Sequence, residues 1–212
     1  MIADKSKIEN ALEEALKEGK GKRKFTQSID LAINFKDVDF KKPENRFNVD
    51  IVLPHQMKET KVAVFADGTL AFEAKKVADL VISGEEIPAF AADKKKQKEL
   101  LKYSLLAAPQ LMAVVGKQLG QLLGSRGKLP KPILPGSNLA DLINRTKKTI
   151  SLRVKGKNLP CVHCSIGIET MEKEQLVENT AIVLEAVEKS ISSSQVKSVY
   201  VKTTMGKAAR IV

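Results

Sequence analysis

Two cysteines and two histidines are all that the 212 residues supply of the side chains that most often bind transition metals or activate nucleophiles. The cysteines form one local pair, Cys161-Val162-His163-Cys164, whose C-x-x-C spacing suits half a zinc site or a thiol redox motif. A structural zinc site takes four ligands, and the only histidine outside this segment is His55, so the metal reading is incomplete. Redox pairs normally open a helix after a strand, whereas Pro160 to Ile168 reads as extended. Two structural thiols in a reducing compartment are the expectation, with no metal and no cofactor.

A long apolar run is missing as well. The longest, Leu105 to Gly116, contains Pro109 and Gln110 and falls short of the roughly 20 residues that cross a bilayer. The N-terminal segment is charged from Asp4 and leads into an amphipathic pattern rather than a signal-peptide core. A cytoplasmic protein with no membrane span is expected. Phosphate-binding loops fail too: a Walker loop ending on Gly127-Lys128 needs glycine where Leu122 stands and a hydroxyl where Leu129 stands. Glycines at 116, 120, 124 and 127 do not make a dinucleotide fingerprint either. His55 and His163 have no nucleophile and acid grouped around them, so no enzyme constellation emerges.

What the chain has is positive charge: 36 Lys+Arg against 25 Asp+Glu, a net charge of +11, with 43% apolar residues. The apolar content suits a globular protein of one or two domains. The charge favours a polyanionic partner, nucleic acid first, because each cation that neutralises a phosphate releases condensed counterions. An ordinary basic surface is the alternative. Two segments concentrate the cations: Lys20-Gly21-Lys22-Arg23-Lys24-Phe25-Thr26, and Lys197 to Val212, which has Lys197, Lys202, Lys207 and Arg210 and no acid. Thr203-Thr204-Met205-Gly206 adds hydroxyls, main-chain amides, a polarizable side chain and a glycine that lets backbone approach a ligand. Phe25 suits either a stacked base or the core.

Periodicity sets the organisation. Ile8, Leu12, Ala15 and Leu16 predict a helix over Lys5 to Glu18. Phe25, Ile29, Leu31, Ile33 and Phe35 alternate as a strand, as do Phe47, Val49, Ile51 and Leu53 beyond the loop Lys41 to Asn45. From Lys61 short apolar runs alternate with helical stretches: Val62 to Ala66, Ala71 to Lys76, Leu80 to Ile82, Asp93 to Tyr103, Leu105 to Ala108, Gln110 to Leu123 and Asn138 to Lys147. That alternation marks a parallel sheet covered by helices. Pro130, Pro132 and Pro135 interrupt it as a loop. Strands Ile150 to Val154, Val162 to Ile168 and Val196 to Thr203, with a helix over Glu172 to Ser190, return to the first texture. An α+β terminal domain formed from both chain ends (1–60 and 156–212), with an inserted α/β domain (61–155), is the expected fold. Gly116, Gly120 and Gly124 read as a small-residue helix face that allows close packing, and Gly124-Ser125-Arg126-Gly127 has the form of a backbone-clamping G-x-x-G loop.

Four ordered blocks spanning the chain resemble the large-subunit ribosomal protein L-one family in its archaeal form. They are Arg23-Lys24-Phe25-Thr26-Gln27-Ser28, Lys41-Lys42-Pro43-Glu44-Asn45-Arg46, Gly116 through Pro130, and Thr203-Thr204-Met205-Gly206. The resemblance implies a Rossmann-like inserted domain, a hinge near 55–61 and 149–157, and RNA contacts at Lys24, Phe25, Thr26, Thr203, Thr204, Met205 and Gly206, with Lys157 and His163 added. Lys22, Arg23, Lys202 and Lys207 are expected to supply salt-dependent attraction. Implied partners are large-subunit rRNA, exit-site tRNA, the large ribosomal subunit and the protein's own mRNA, with the free protein a monomer. Ser125 and Lys207 stand where the family commonly has proline, and Lys207 should strengthen phosphate binding. A nucleotide-binding enzyme using the inserted domain is the alternative of another class.

Overall fold

A computed structural model describes residues 4–19, 21, 23–40, 48–57, 60–134, 136, 138–154 and 159–212. The chain divides into two compact units, one taking the chain up to Lys58 together with Lys148–Val212, the other Glu59–Lys147.

Helix α1 (Lys5–Gly19) buries Ile8, Ala11, Leu12, Ala15 and Leu16 on one face, as helical spacing dictates. Strand β1 (Ser28–Phe35) buries every odd residue and leaves every even one half-buried. It is followed by β2 (Asn48–Val52). The loop expected at 41–45, the block 41–46 and Phe47 lie outside the described residues.

The second unit starts with β3 (Val62–Phe65), buried along its whole length, then α2 (Gly68–Val77), β4 (Leu80–Ile82), α3 (Ile87–Ala92), α4 (Lys94–Leu100) and β5 (Ser104–Ala107). Next come α5 (Pro109–Ser125), a short β6 (Lys131–Pro132) inside the expected proline loop, and α6 (Leu139–Lys148). All pairings are parallel, in the order β4-β3-β5-β6. Strands that are apolar without alternation require cover on both faces. Ala63, Phe65 and Ala107 pack with Ile87, Leu100 and Leu111 on one side, while Val62, Val64 and Leu106 pack with Ala74, Leu139 and Ile143 on the other.

The glycine-rich segment has a different role from the one its spacing suggests. A Cβ placed on Gly116, Gly120 or Gly124 would meet nothing within 4 Å. The core stripe of α5 is Leu111, Val115, Leu119 and Leu123, so the expected close-packed glycine face lacks a neighbour. Gly124 to Gly127 is a helix stop rather than a clamp. Gly127 is left-handed (φ 63°), its N–H donates to Gly124 O at 3.0 Å, and Lys128 N–H donates to Leu123 O at 2.8 Å. The Lys128 ammonium then donates to the carbonyls of Leu101 and Tyr103, and partial burial holds its pKa below the usual lysine range.

The chain returns to the first unit with β7 (Thr149–Arg153), β8 (Cys161–Ile168), α7 (Lys173–Ser190), β9 (Val196–Thr203) and β10 (Ala208–Arg210). Residues 149–153, expected within the inserted segment, pair antiparallel with β2 along its whole length and lie with the first unit. The main sheet is antiparallel in the order β10-β9-β1-β8. One face carries Ile29, Leu31, Ile33, Val162, Val199 and Val201 against the apolar stripes of α1 and α7. The crossing out of this unit is anchored by fully buried Asn179. Its amide donates to His55 O at 3.1 Å and to Ile166 O at 2.9 Å, and its Oδ1 accepts from His55 N–H at 3.2 Å.

Candidate nucleic-acid interface

The site starts from a buried glutamine. Gln27 is 1% exposed, which requires its amide to be fully bonded. Its Nε2 donates to Gly19 O at 2.6 Å and to Glu169 Oε2 at 3.2 Å, and its Oε1 accepts from Met205 N–H at 3.0 Å. Its main-chain oxygen accepts from Glu169 N–H at 3.0 Å. One residue thereby joins the end of α1, the turn after β8 and the loop between β9 and β10.

Ser28 continues the join. Thr204 N–H donates to Ser28 O at 3.0 Å, Ser28 N–H donates to Thr204 Oγ1 at 3.1 Å, and the two hydroxyls lie 3.0 Å apart. Gly206 N–H closes the turn on Thr203 O at 3.1 Å. Thr204, Met205 and Lys207 therefore sit exposed on a loop whose backbone is held at several points.

Arg23, Lys24, Phe25 and Thr26 precede Gln27 directly, and all are exposed. Phe25 lies outside β1, because Gln27 takes the buried position that extended alternation would have given to the chain before Ile29. Phe25 is 52% exposed and Met205 is 57% exposed, two apolar surfaces among cations. That combination suits base or ribose contact beside phosphate neutralisation.

Thr203 differs from its neighbours. Its side chain is fully buried, and its hydroxyl has no hydrogen-bond partner among the described residues. It lies between Gly19 and Gly206: a Cβ on either would come within 2.0 Å or 2.2 Å of Thr203 Oγ1. The expectation of a direct Thr203 contact is corrected to a packing role, since strand alternation turns Val199, Val201 and Thr203 inward together.

On the sheet face away from the helices, cross-strand register forms rows. Lys202 pairs with Ala208 and Asp30, and Asp30 with Ser165; Tyr200 pairs with Arg210 and Ala32, and Ala32 with His163. His163 is exposed on the same face as Lys202, two strand spacings away, or ~10 Å. The cationic patch is not free of acids, because Asp30 stands beside Lys202 and Glu169 lies under the loop. Lys22 and Lys157 lie outside the described residues.

The cysteines point to opposite sides of β8. Cys164 pairs with buried Leu31 and packs against the core, while Cys161 pairs with Asn34 on the other face. Burial, with Asp30 nearby, pushes the Cys164 thiol up to about 12, so it is protonated at neutral pH and unreactive as a nucleophile. The pair cannot chelate one ion locally.

Gln27, Ser28, Gly19 and Glu169 are the site residues that sequence reasoning passed over. The first two stand in the block Arg23 to Ser28, and a polar Gln-Ser pair before an apolar alternation was the available signal.

Comparison with known proteins bears on this geometry. The model of the Ribosomal protein L1p/L10e family matches residues 15–207. The "Large ribosomal subunit protein uL1" of Thermococcus kodakarensis is 44% identical over 100% of this chain and 99% of its own length. The proteins of the same name from Archaeoglobus fulgidus and Pyrococcus abyssi are each 42% identical over the whole chain, covering 100% and 98% of their own lengths. A family match over nearly the full length, joined to full-length relatives well above 30% identity, means that this chain belongs to the Ribosomal protein L1p/L10e family.

Proposed function

We propose that this protein is a structural constituent of the large ribosomal subunit that binds large-subunit rRNA, and that the observation carrying this reading is the loop Thr204–Lys207 held against Ser28 by Gln27. Preformed amides and hydroxyls select RNA shape without an ordering cost at binding. Arg23, Lys24, Lys202 and Lys207 add salt-dependent attraction, and Phe25 and Met205 offer flat contacts. His163 extends the surface across the sheet. The resulting ribonucleoprotein is the mobile stalk that assists release of deacylated tRNA from the exit site, and the same surface binds a similar structure in the protein's own mRNA to repress translation.

In this reading the unit Glu59–Lys147 is an inserted Rossmann-like domain. Its hinge sits where the chain crosses between the units, at 58/59 and 147/148. The described residues contain no helix long and apolar enough to cross a membrane, which agrees with a cytoplasmic, ribosome-associated protein that is monomeric when free. A nucleotide-binding enzyme is disfavoured by chemistry at the sheet's carboxyl end. There the carboxylate of Asp67 precedes α2 and accepts from Gly84 N–H at 2.8 Å, so negative charge stands where a phosphate would need positive.

Thr204→Ala tests the loop. It should weaken binding to a large-subunit rRNA fragment by about 1 to 3 kcal/mol, measured by filter binding at fixed salt, with little change in urea midpoint. An unchanged affinity would remove Thr204 from the interface.

A further inference from the structure

The helical layer of the first unit has a chemistry opposite to that of the RNA loop. α7 carries four glutamates against two lysines, in a chain of net charge +11. Between α1 and α7 lies a groove of about 250 Å³, with Leu12 and Val177 exposed at its floor and Glu9, Glu13, Glu174 and Lys173 around it. It continues toward Leu16 and Met171.

Lys173 shows how the groove receives a cation. Its ammonium is ion-paired with Glu13, whose carboxyl is held below the usual range by that bond and by Lys17 at 3.9 Å. Among the described residues, no ammonium or guanidinium pairs with Glu9 or Glu174. Two uncompensated carboxylates thus stand above an apolar floor.

We infer that the α1/α7 groove is a docking site for a basic segment of another protein, in which arginine or lysine alternates with leucine-like residues. Charge complementarity selects this occupant. The aliphatic stem of a basic side chain fits the Leu12–Val177 floor while its head lies between Glu9 and Glu174. RNA is repelled by the same carboxylates, and a second copy of this chain brings a like net charge. A volume of about 250 Å³ holds one or two side chains, so the segment is gripped at an anchor rather than enclosed.

The test uses the full chain and a fluorescein-labelled Arg-Leu-Arg-Leu-Arg-Leu peptide, followed by anisotropy at low salt, with a glutamate-for-arginine peptide as control. Saturable binding of the basic peptide alone is expected. It should weaken about fivefold in the Glu9→Gln/Glu174→Gln double variant, as for two exposed ion pairs lost. Glu185→Gln/Glu188→Gln, on the same helix outside the groove, should leave it unchanged, and rRNA affinity should be unchanged in both variants. Four outcomes would each overturn the proposal: no saturation, equal loss in both double variants, displacement of the peptide by RNA, or protection of the groove by self-association at higher protein concentration.

Discussion

Gly19→Ala is expected to destabilise the first unit by about 2 to 3 kcal/mol and to weaken RNA binding even where the protein is still folded. A methyl group there would lie 2.0 Å from Thr203 Oγ1 and 2.8 Å from both Thr203 Cβ and Cγ2. Thr203 cannot swing aside, because it is fully buried at the end of a central strand, with Gly206 backed against its other side. Relief has to come from moving the end of α1 or the loop Thr204–Gly206. The first loses the Gln27–Gly19 hydrogen bond, and the second displaces the RNA contacts. Urea unfolding read by circular dichroism checks the stability. Thr203→Ala in the Gly19→Ala background should recover a large part of it, because the two changes act on one contact. A Gly19→Ala midpoint equal to that of the parent would mean that the packing around Thr203 is looser than described.

Gln27→Leu is the second large effect. Leucine fills a similar volume but leaves Gly19 O, Met205 N–H and the Glu169 carboxylate without the partners that Gln27 supplies. Each orphaned buried group costs about 1 to 3 kcal/mol, and more if charged, so a total loss of about 3 kcal/mol is expected. Hydrogen exchange at Met205 N–H should speed up beyond the change in global stability, since its acceptor is gone. RNA affinity should fall with it, because the loop then has to be ordered at the moment of binding. If affinity were unchanged in a variant that had lost this stability, Gln27 would be a core residue and not a positioning residue for the site.

These two residues show what the chain discloses and what it withholds. The alternation Ile29-Leu31-Ile33-Phe35 was readable because a sheet with one buried face imposes a two-residue period, and α7 because its apolar stripe is long. The run Val62 to Ala66 was readable as a strand covered on both sides. The six-residue α3 and the short β6 and β10 have too few residues to establish a period. Phe25 was misplaced because alternation was carried back across a bend that only the Gln27 hydrogen bonds impose. Gly116, Gly120 and Gly124 share a helical face, but spacing alone does not say whether that face turns inward. At the site, the exposed cations and Thr204-Met205-Gly206 were legible as chemistry. Their support was not, since Gln27 to Met205 and Ser28 to Thr204 are contacts between opposite ends of the chain. Thr203 was the exception, because its inward position followed from the period of Val199 and Val201.

The central claim is that a preformed surface recognises RNA shape and that charge only adds to it. The most direct test is binding of the purified protein to the large-subunit stalk rRNA fragment and to an unrelated structured RNA of equal length, across a salt series. The account predicts much tighter binding to the stalk fragment, with a preference that persists as salt rises and the electrostatic part of both affinities falls. Equal affinities collapsing together with salt would contradict it, leaving a basic protein that attracts any RNA.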